Sequence, residues 1–226
     1  MCYKIIMTLF FVHLFGNMPI RHDKADTNAQ VVLNKSGVYS SVDRGQITIS
    51  INNGVLTGVY EYYDKWNENY KEYMDINIVY IYGYNSNGLN YKITSISPGN
   101  NEIINGVCDF TNDYKTLRIV LKDQPPGYAS FDFTKDTKDN LFSLKSSNKF
   151  SGVRIVKSKK TALYDYDGQT FIKRKAYLVK GDIVTLLDSL KEYSKISYHS
   201  FSTDKTNMYW INHEDLYEAN PELWKK

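Results

Sequence analysis

From residue 36 onward the apolar positions alternate with polar ones, which is the period of a strand with one buried face. In QITISI, Ile47, Ile49 and Ile51 alternate with Gln46, Thr48 and Ser50, and NNG at 52–54 then supplies a hairpin turn before VLTGVYEYY returns. INIVYIYGY places Ile76, Ile78, Tyr80, Tyr82 and Tyr84 on one face, and NSNG at 85–88 closes a second turn before LNYKITSIS. EIINGVCDF, a TND turn and TLRIVLK follow, the last with Leu117, Ile119 and Leu121 on one face. Short strands separated by turn signals about every 8–12 residues predict an all-β antiparallel barrel or sandwich.

Two stretches break this rhythm. DKWNENYKEYMD, 64–75, is polar and reads as a short helix or a long loop tip. Asp64, Glu68, Glu72 and Asp75 follow helical spacing there and suit the wet side of a helix, with Lys65 and Lys71 among them. The stretch 124–152 mixes turns with short strands, and its Lys/Asp/Ser tract reads as a long loop at a domain edge. A new pattern starts with VRIVKSKKTALYDY. The expected division is a leader over 1–29, a first β domain over 30–152 and a second over 153–226. Val184 and Leu187 are expected on one face of the second domain's apolar strand, and Ile183 and Leu186 on the other.

The leader changes the expected location. Lys4 precedes an apolar run of about a dozen residues, shorter than the ~20 needed to span a bilayer and suited to a signal-peptide core. Small residues at Gly16 and Ala29 offer two cleavage points. The chain is therefore expected in the periplasm or outside the cell, with no transmembrane segment in its mature form. Cleavage would remove Cys2 and leave Cys108, so no intramolecular disulfide is expected, and Cys108 reads as a buried, inert strand thiol.

Composition adds two points. The net charge is only +3, too small to argue for nucleic acid. The basic excess falls within 153–226, chiefly at Lys157, Lys159, Lys160, Lys173, Arg174 and Lys175. Tyrosine is abundant, with 20 residues, which suits both strands and binding surfaces.

No catalytic constellation emerges. His199 and His213 stand apart, Cys108 has no nucleophile motif, and no phosphate-binding loop or dinucleotide fingerprint occurs. No enzyme activity, cofactor or metal is expected.

The residues from 161 to 216 carry a resemblance. TALYDYDGQTF gives a strand and a turn-rich loop, KAYLVKGDIVTLLD a Lys-Gly-Asp turn before an apolar strand, KEYSKISYH the next strand, and NMYWINHEDL a closing strand with its turn. In this order they resemble bacterial SH3-like β-barrels. In the polyproline-binding members of the wider SH3 group the groove needs a tryptophan after the apolar strand and a proline in the last one. Here those places fall near Tyr193 and at Ile211, and the loop after ALYDY turns basic. The resemblance therefore implies a cell-wall or peptide-binding module, with Tyr164, Tyr166, Tyr193, Tyr209 and Trp210 as the groove and Lys173, Arg174 and Lys175 beside it. Some of these rings would equally fit a barrel core.

More loosely, GVYS at 37–40 followed by ITISI and GVYEYY resembles the opening of calycin-like barrels, a group that includes lipocalin-like domains and periplasmic lysozyme inhibitors. The aromatics of EYYDKWNENYKEYMD, namely Tyr62, Tyr63, Trp66, Tyr70 and Tyr73, then form a candidate protein-binding patch. The expected function is recognition of cell-wall peptide or peptidoglycan by the SH3-like domain. The alternative is an inhibitor or immunity-type protein that blocks a cell-wall-acting enzyme or toxin, with an envelope protein as partner.

Overall fold

The computed structural model describes residues 35–225 except 42–44, 64–65, 71, 74–75, 99–101, 127–131, 136–139, 201–202 and 204. The apolar leader, its two cleavage points and Cys2 lie outside the described residues. Within them the chain is all-β, with 3-10 turns at His213–Asp215 and Pro221–Lys225 and no α-helix. None of the described helices is long and apolar enough to cross a membrane.

The first part runs β1 (Gly37–Ser40), β2 (Gln46–Asn52) and β3 (Val55–Tyr63), then a ribbon of β4 (Trp66–Asn67) and β5 (Glu72–Tyr73). It continues with β6 (Ile76–Asn87), β7 (Asn90–Ile96), β8 (Ile104–Phe110), β9 (Thr116–Leu121) and β10 (Leu141–Ser147). Eight of these strands, all but the ribbon, form a closed antiparallel barrel in the order β1-β2-β3-β6-β7-β8-β9-β10, with β10 returning to β1. Asn53 and Gly54 sit at φ of +50° and +78°, the left-handed pair that a two-residue hairpin turn needs to match strand twist.

An eight-stranded barrel is just wide enough for side chains to fill. Here Tyr39, Tyr60, Tyr91, Phe110, Phe133 and Phe142 fill it, buried with Ile47, Ile49, Leu117, Ile119 and Leu121. Tyr60 meets Phe133 edge-on at 5.0 Å and Phe142 at 6.1 Å, an arrangement favoured by the ring quadrupoles. The Tyr39 hydroxyl donates to the Tyr114 carbonyl at 3.0 Å, so the polar end of a buried ring is satisfied.

Cys108 lies in this core, and burial, followed by the nearby Asp109 carboxylate, pushes its thiol pKa far up. Iodoacetamide at mildly alkaline pH should therefore leave Cys108 unmodified in the folded protein and alkylate it fully in denaturant, as peptide mass mapping would show. Rapid labelling of the folded protein would mean that β8 opens.

Two stretches differ from the sequence expectation. Within 64–75 the described residues form a β-ribbon in place of the expected helix or loop tip: Trp66 pairs with Tyr73 and Asn67 with Glu72. Asp64 and Asp75 lie outside the described residues, and Glu68 sits in the ribbon's turn. The stretch read as an edge loop over 124–152 contains β10, which closes the barrel, and Phe133, which is core. Asn140 holds the approach to β10, donating from Nδ2 toward the carbonyls of Ile119, Asp132 and Lys135 at 3.3, 3.2 and 2.5 Å.

The second part runs β11 (Gly152–Ile155), β12 (Lys160–Tyr166), β13 (Phe171–Val179), β14 (Ile183–Leu190), β15 (Tyr193–Ser200) and β16 (Lys205–Asn212). These form an antiparallel sheet in the order β11-β14-β15-β16-β12-β13. Val156, Leu163, Leu178, Val184, Ile196, Ile211 and Leu216 make its own core. Between β13 and β14 the chain reverses at Gly181, φ +99°, while the Asp182 carboxylate accepts from the Val179 amide at 2.8 Å.

Along β14, Val184 and Leu186 face this core, whereas Ile183 packs against a second cluster. The expected pairing of Ile183 with Leu186 fails because strand faces repeat every two residues, not three. That second cluster joins barrel and sheet. Val59, Tyr80 and Ile96 from the outside of the barrel bury against Val153 and Ile155, with Ile183, Tyr217 and Trp224 around them. The Val153 amide donates to Thr57 Oγ1 at 2.9 Å. The Tyr80 hydroxyl has the Ala219 carbonyl at 2.8 Å and the Val153 carbonyl at 3.3 Å as acceptors. Leu33–Lys226 accordingly forms one compact unit.

Candidate functional site

Strand alternation sorts the aromatic residues of the second sheet. The side chains at Leu163, Ile196 and Ile211 point into its core, so their neighbours at Tyr164, Lys195 and Trp210 point to the other face. Register brings these together: Tyr164 pairs with Trp210 between β12 and β16, and Lys195 with Trp210 between β15 and β16. Tyr166 pairs with Phe171 across the β12–β13 hairpin.

The rings form a continuous half-buried shelf. Phe171 stacks on Tyr193 at 3.9 Å, with 25° between the ring planes. It also lies 4.8 Å from Tyr166 and 5.5 Å from Trp210. Tyr166 meets Trp210 edge-on at 5.7 Å, and Tyr164 meets Tyr193 at 5.1 Å. The Tyr193 hydroxyl is raised in pKa, first by desolvation and then by Tyr164 and Glu192, so it stays protonated and can donate at neutral pH. The Tyr166 hydroxyl donates to the Gly168 carbonyl at 2.8 Å, tying the hairpin loop to the shelf.

Four of the five groove aromatics expected from sequence thus meet on one face. Tyr209 does not join them. It precedes Trp210 by one residue, turns to the opposite face and packs against the sheet core. Arg174 lies over the Tyr209 ring at 5.1 Å and pairs with Asp165 at 2.9 Å. Lys173 lies directly opposite Tyr164 in the hairpin register. Phe171 belongs at the centre of the shelf and was missed. The signal for it was its position opposite Tyr166 across a four-residue loop.

Of the tyrosines in the first part, Tyr63 and Tyr73 meet, while Tyr62 and Tyr70 lie elsewhere. Tyr62 packs against the barrel core. Tyr63 turns the other way, with Tyr73 at 5.1 Å and His199 of β15 at 5.8 Å. Its hydroxyl donates to Glu61 Oε1 at 2.8 Å, and burial, then that carboxylate, keeps it protonated. Tyr70 stands 72% exposed at the ribbon's turn, and Trp66 lies on the ribbon paired with Tyr73.

Among the described residues no cluster of His, Cys, Asp and Glu could hold a metal ion. His213 is used structurally: its Nε2–H donates to the Lys191 carbonyl at 2.8 Å, and its Nδ1 lies 2.8 Å from the Ser194 hydroxyl. Asp215 accepts from the hydroxyls of Ser158 and Thr161 and closes the sheet's corner.

Two hollows flank these surfaces. One of about 760 Å³ lies on the barrel exterior, lined by residues of both charge signs, including Tyr82, Tyr84, Lys92, Lys122 and Glu222. The other, about 460 Å³, lies on the β12–β13 hairpin and has a wholly basic and apolar lining. No family model, no curated protein and no solved structure matches this chain.

Proposed function

We propose that this chain is an exported, non-enzymatic binding protein of the cell envelope. Its second sheet, SH3-like in the order of its strands and turns, recognises cell-wall peptide or peptidoglycan. The observation that carries this reading is the shelf of Tyr164, Tyr166, Phe171, Tyr193 and Trp210 on the face turned away from the sheet core. Rings held edge-on and stacked against one another lose little freedom on binding, and they offer flat apolar area to sugar faces and peptide planes. Lysines at the margin suit the carboxylates that wall peptides carry.

The test is co-sedimentation of the full chain with purified sacculi. The unmodified protein should pellet, and Trp210→Ala should weaken binding by roughly tenfold or more, the loss typical of an aromatic anchor. Tyr209→Phe, on the opposite face, should bind as the parent does. Failure of the unmodified protein to pellet would refute the reading.

One observation favours the alternative, an inhibitor or immunity-type protein whose calycin-like barrel blocks a cell-wall-acting enzyme or toxin. Tyr70 projects from the β4–β5 ribbon, where a partner protein could bury it.

A further inference from the structure

The hairpin register slips between Ala162 and Tyr164: Ala162 pairs with Tyr177, but Tyr164 pairs with Lys173. Two steps on β12 are therefore matched by four on β13, and the extra residues form a bulge. In a regular strand Lys173, Arg174 and Lys175 would alternate between faces. Here all three line the same hollow of about 460 Å³, together with Lys160, Ala162, Ala176 and Tyr177.

The charge there is not neutralised from within. Arg174 is bonded to Asp165, and Lys160 lies over the Tyr177 ring at 3.8 Å. Lys160, Lys173 and Lys175 have no ion-pair partner among the described residues, and none of the residues lining the hollow is acidic. Gathering like charges around one concavity costs repulsion, which an anion in that concavity would relieve. The hollow also adjoins the shelf, since Lys173 is the register partner of Tyr164.

We propose that this hollow is the anion subsite of the aromatic shelf: it holds a carboxylate of the same wall peptide whose planar groups rest on the rings. The inference rests on the wall-ligand reading above and names the chemistry its ligand must carry. Neutral glycan alone would leave the subsite unused. A ligand with its carboxylates amidated would keep the stacking contacts and lose the ionic ones.

Titration calorimetry on the full chain separates these contributions. The probes are the pentapeptide L-Ala–D-Glu–L-Lys–D-Ala–D-Ala with free carboxylates, the same peptide fully amidated, and poly-L-glutamate. The free acid should bind about tenfold more tightly than the amide, as charge-assisted hydrogen bonds would give. The doubly substituted Lys173→Gln/Lys175→Gln protein should bind both forms alike. These side chains are exposed, so circular dichroism should show its fold unchanged.

Equal binding of acid and amide to the parent, with loss in Trp210→Ala, would overturn the subsite and leave the wall reading standing. Lysine-dependent binding of poly-L-glutamate with no binding of either pentapeptide would overturn both, and make the hollow a dock for an acidic protein segment. No binding of any probe would leave the hollow without an anion-binding role and overturn the inference.

Discussion

Tyr80→Ala should lower the stability of the whole unit from Leu33 to Lys226 by about 3–5 kcal/mol, the range for deleting a large buried aromatic. For a unit of this size that corresponds to a fall in Tm of about 6–20 °C. Tyr80 is an outward-facing residue of a barrel strand, yet it is fully buried because the second sheet covers it. Its ring lies 5.5 Å from Trp224, which in turn stacks on Tyr217 at 4.7 Å, so the chain's end packs over the same cluster. Tyr80→Phe keeps the ring and removes only the hydroxyl that reaches Ala219 and Val153, and should cost about 1–2 kcal/mol. Calorimetry of the parent should show one cooperative transition, since neither sheet keeps its apolar surface covered without the other. Two separate transitions, with Tyr80→Ala shifting only one, would show instead that the cluster is a weak contact between independent domains.

This shared cluster explains which parts of the fold could be read from sequence. Alternation in TLRIVLK and the NNG turn express local rules, and the structure follows them; QITISI sends Ile47 and Ile49 into the barrel as its period predicts, but its polar Thr48 and Ser50 are covered too. INIVYIYGY also alternates, but at its middle both faces are buried: Val79 and Ile81 inside the barrel, Tyr80 under the second sheet, while Ile76 and Tyr84 at its ends stay exposed. Nothing local distinguishes a tyrosine facing water from one covered by a strand seventy residues later. That one short strand of 124–152, β10, closes the barrel was not legible, for a related reason. LFSLKSS has few apolar residues, and it is held as a strand by pairing with β1 and β9 from distant parts of the chain.

The aromatic site was legible to the extent that strand period was applied. Tyr62 with Tyr63, and Tyr209 with Trp210, are consecutive pairs, and a strand must send the members of each pair to opposite faces. Grouping them by proximity in sequence merged two faces in each case. The basic residues Lys160, Lys173, Arg174 and Lys175 were legible as a cluster, the last three beside the groove, but the hollow they line depends on a register slip that composition does not announce.

Phe171→Ala should weaken the proposed wall binding by about tenfold or more while costing only about 1–2 kcal/mol of stability. The two effects differ because Phe171 is only half-buried, so its truncation leaves no sealed core cavity. On the binding side its ring is the hub of the shelf: Tyr193 stacks on it, and Tyr166 and Trp210 lean against it. Removing it frees three neighbours at once, and ordering them again must be repeated with every binding event. Phe171→Leu preserves side-chain volume without the flat face. It should restore stability but not affinity, which separates a ring used for stacking from a ring used as filler. Co-sedimentation with sacculi, measured beside thermal melts of the same variants, would decide it. Full affinity in Phe171→Leu would mean that the shelf contributes bulk alone, and that the sugar- or peptide-stacking role assigned to it is wrong.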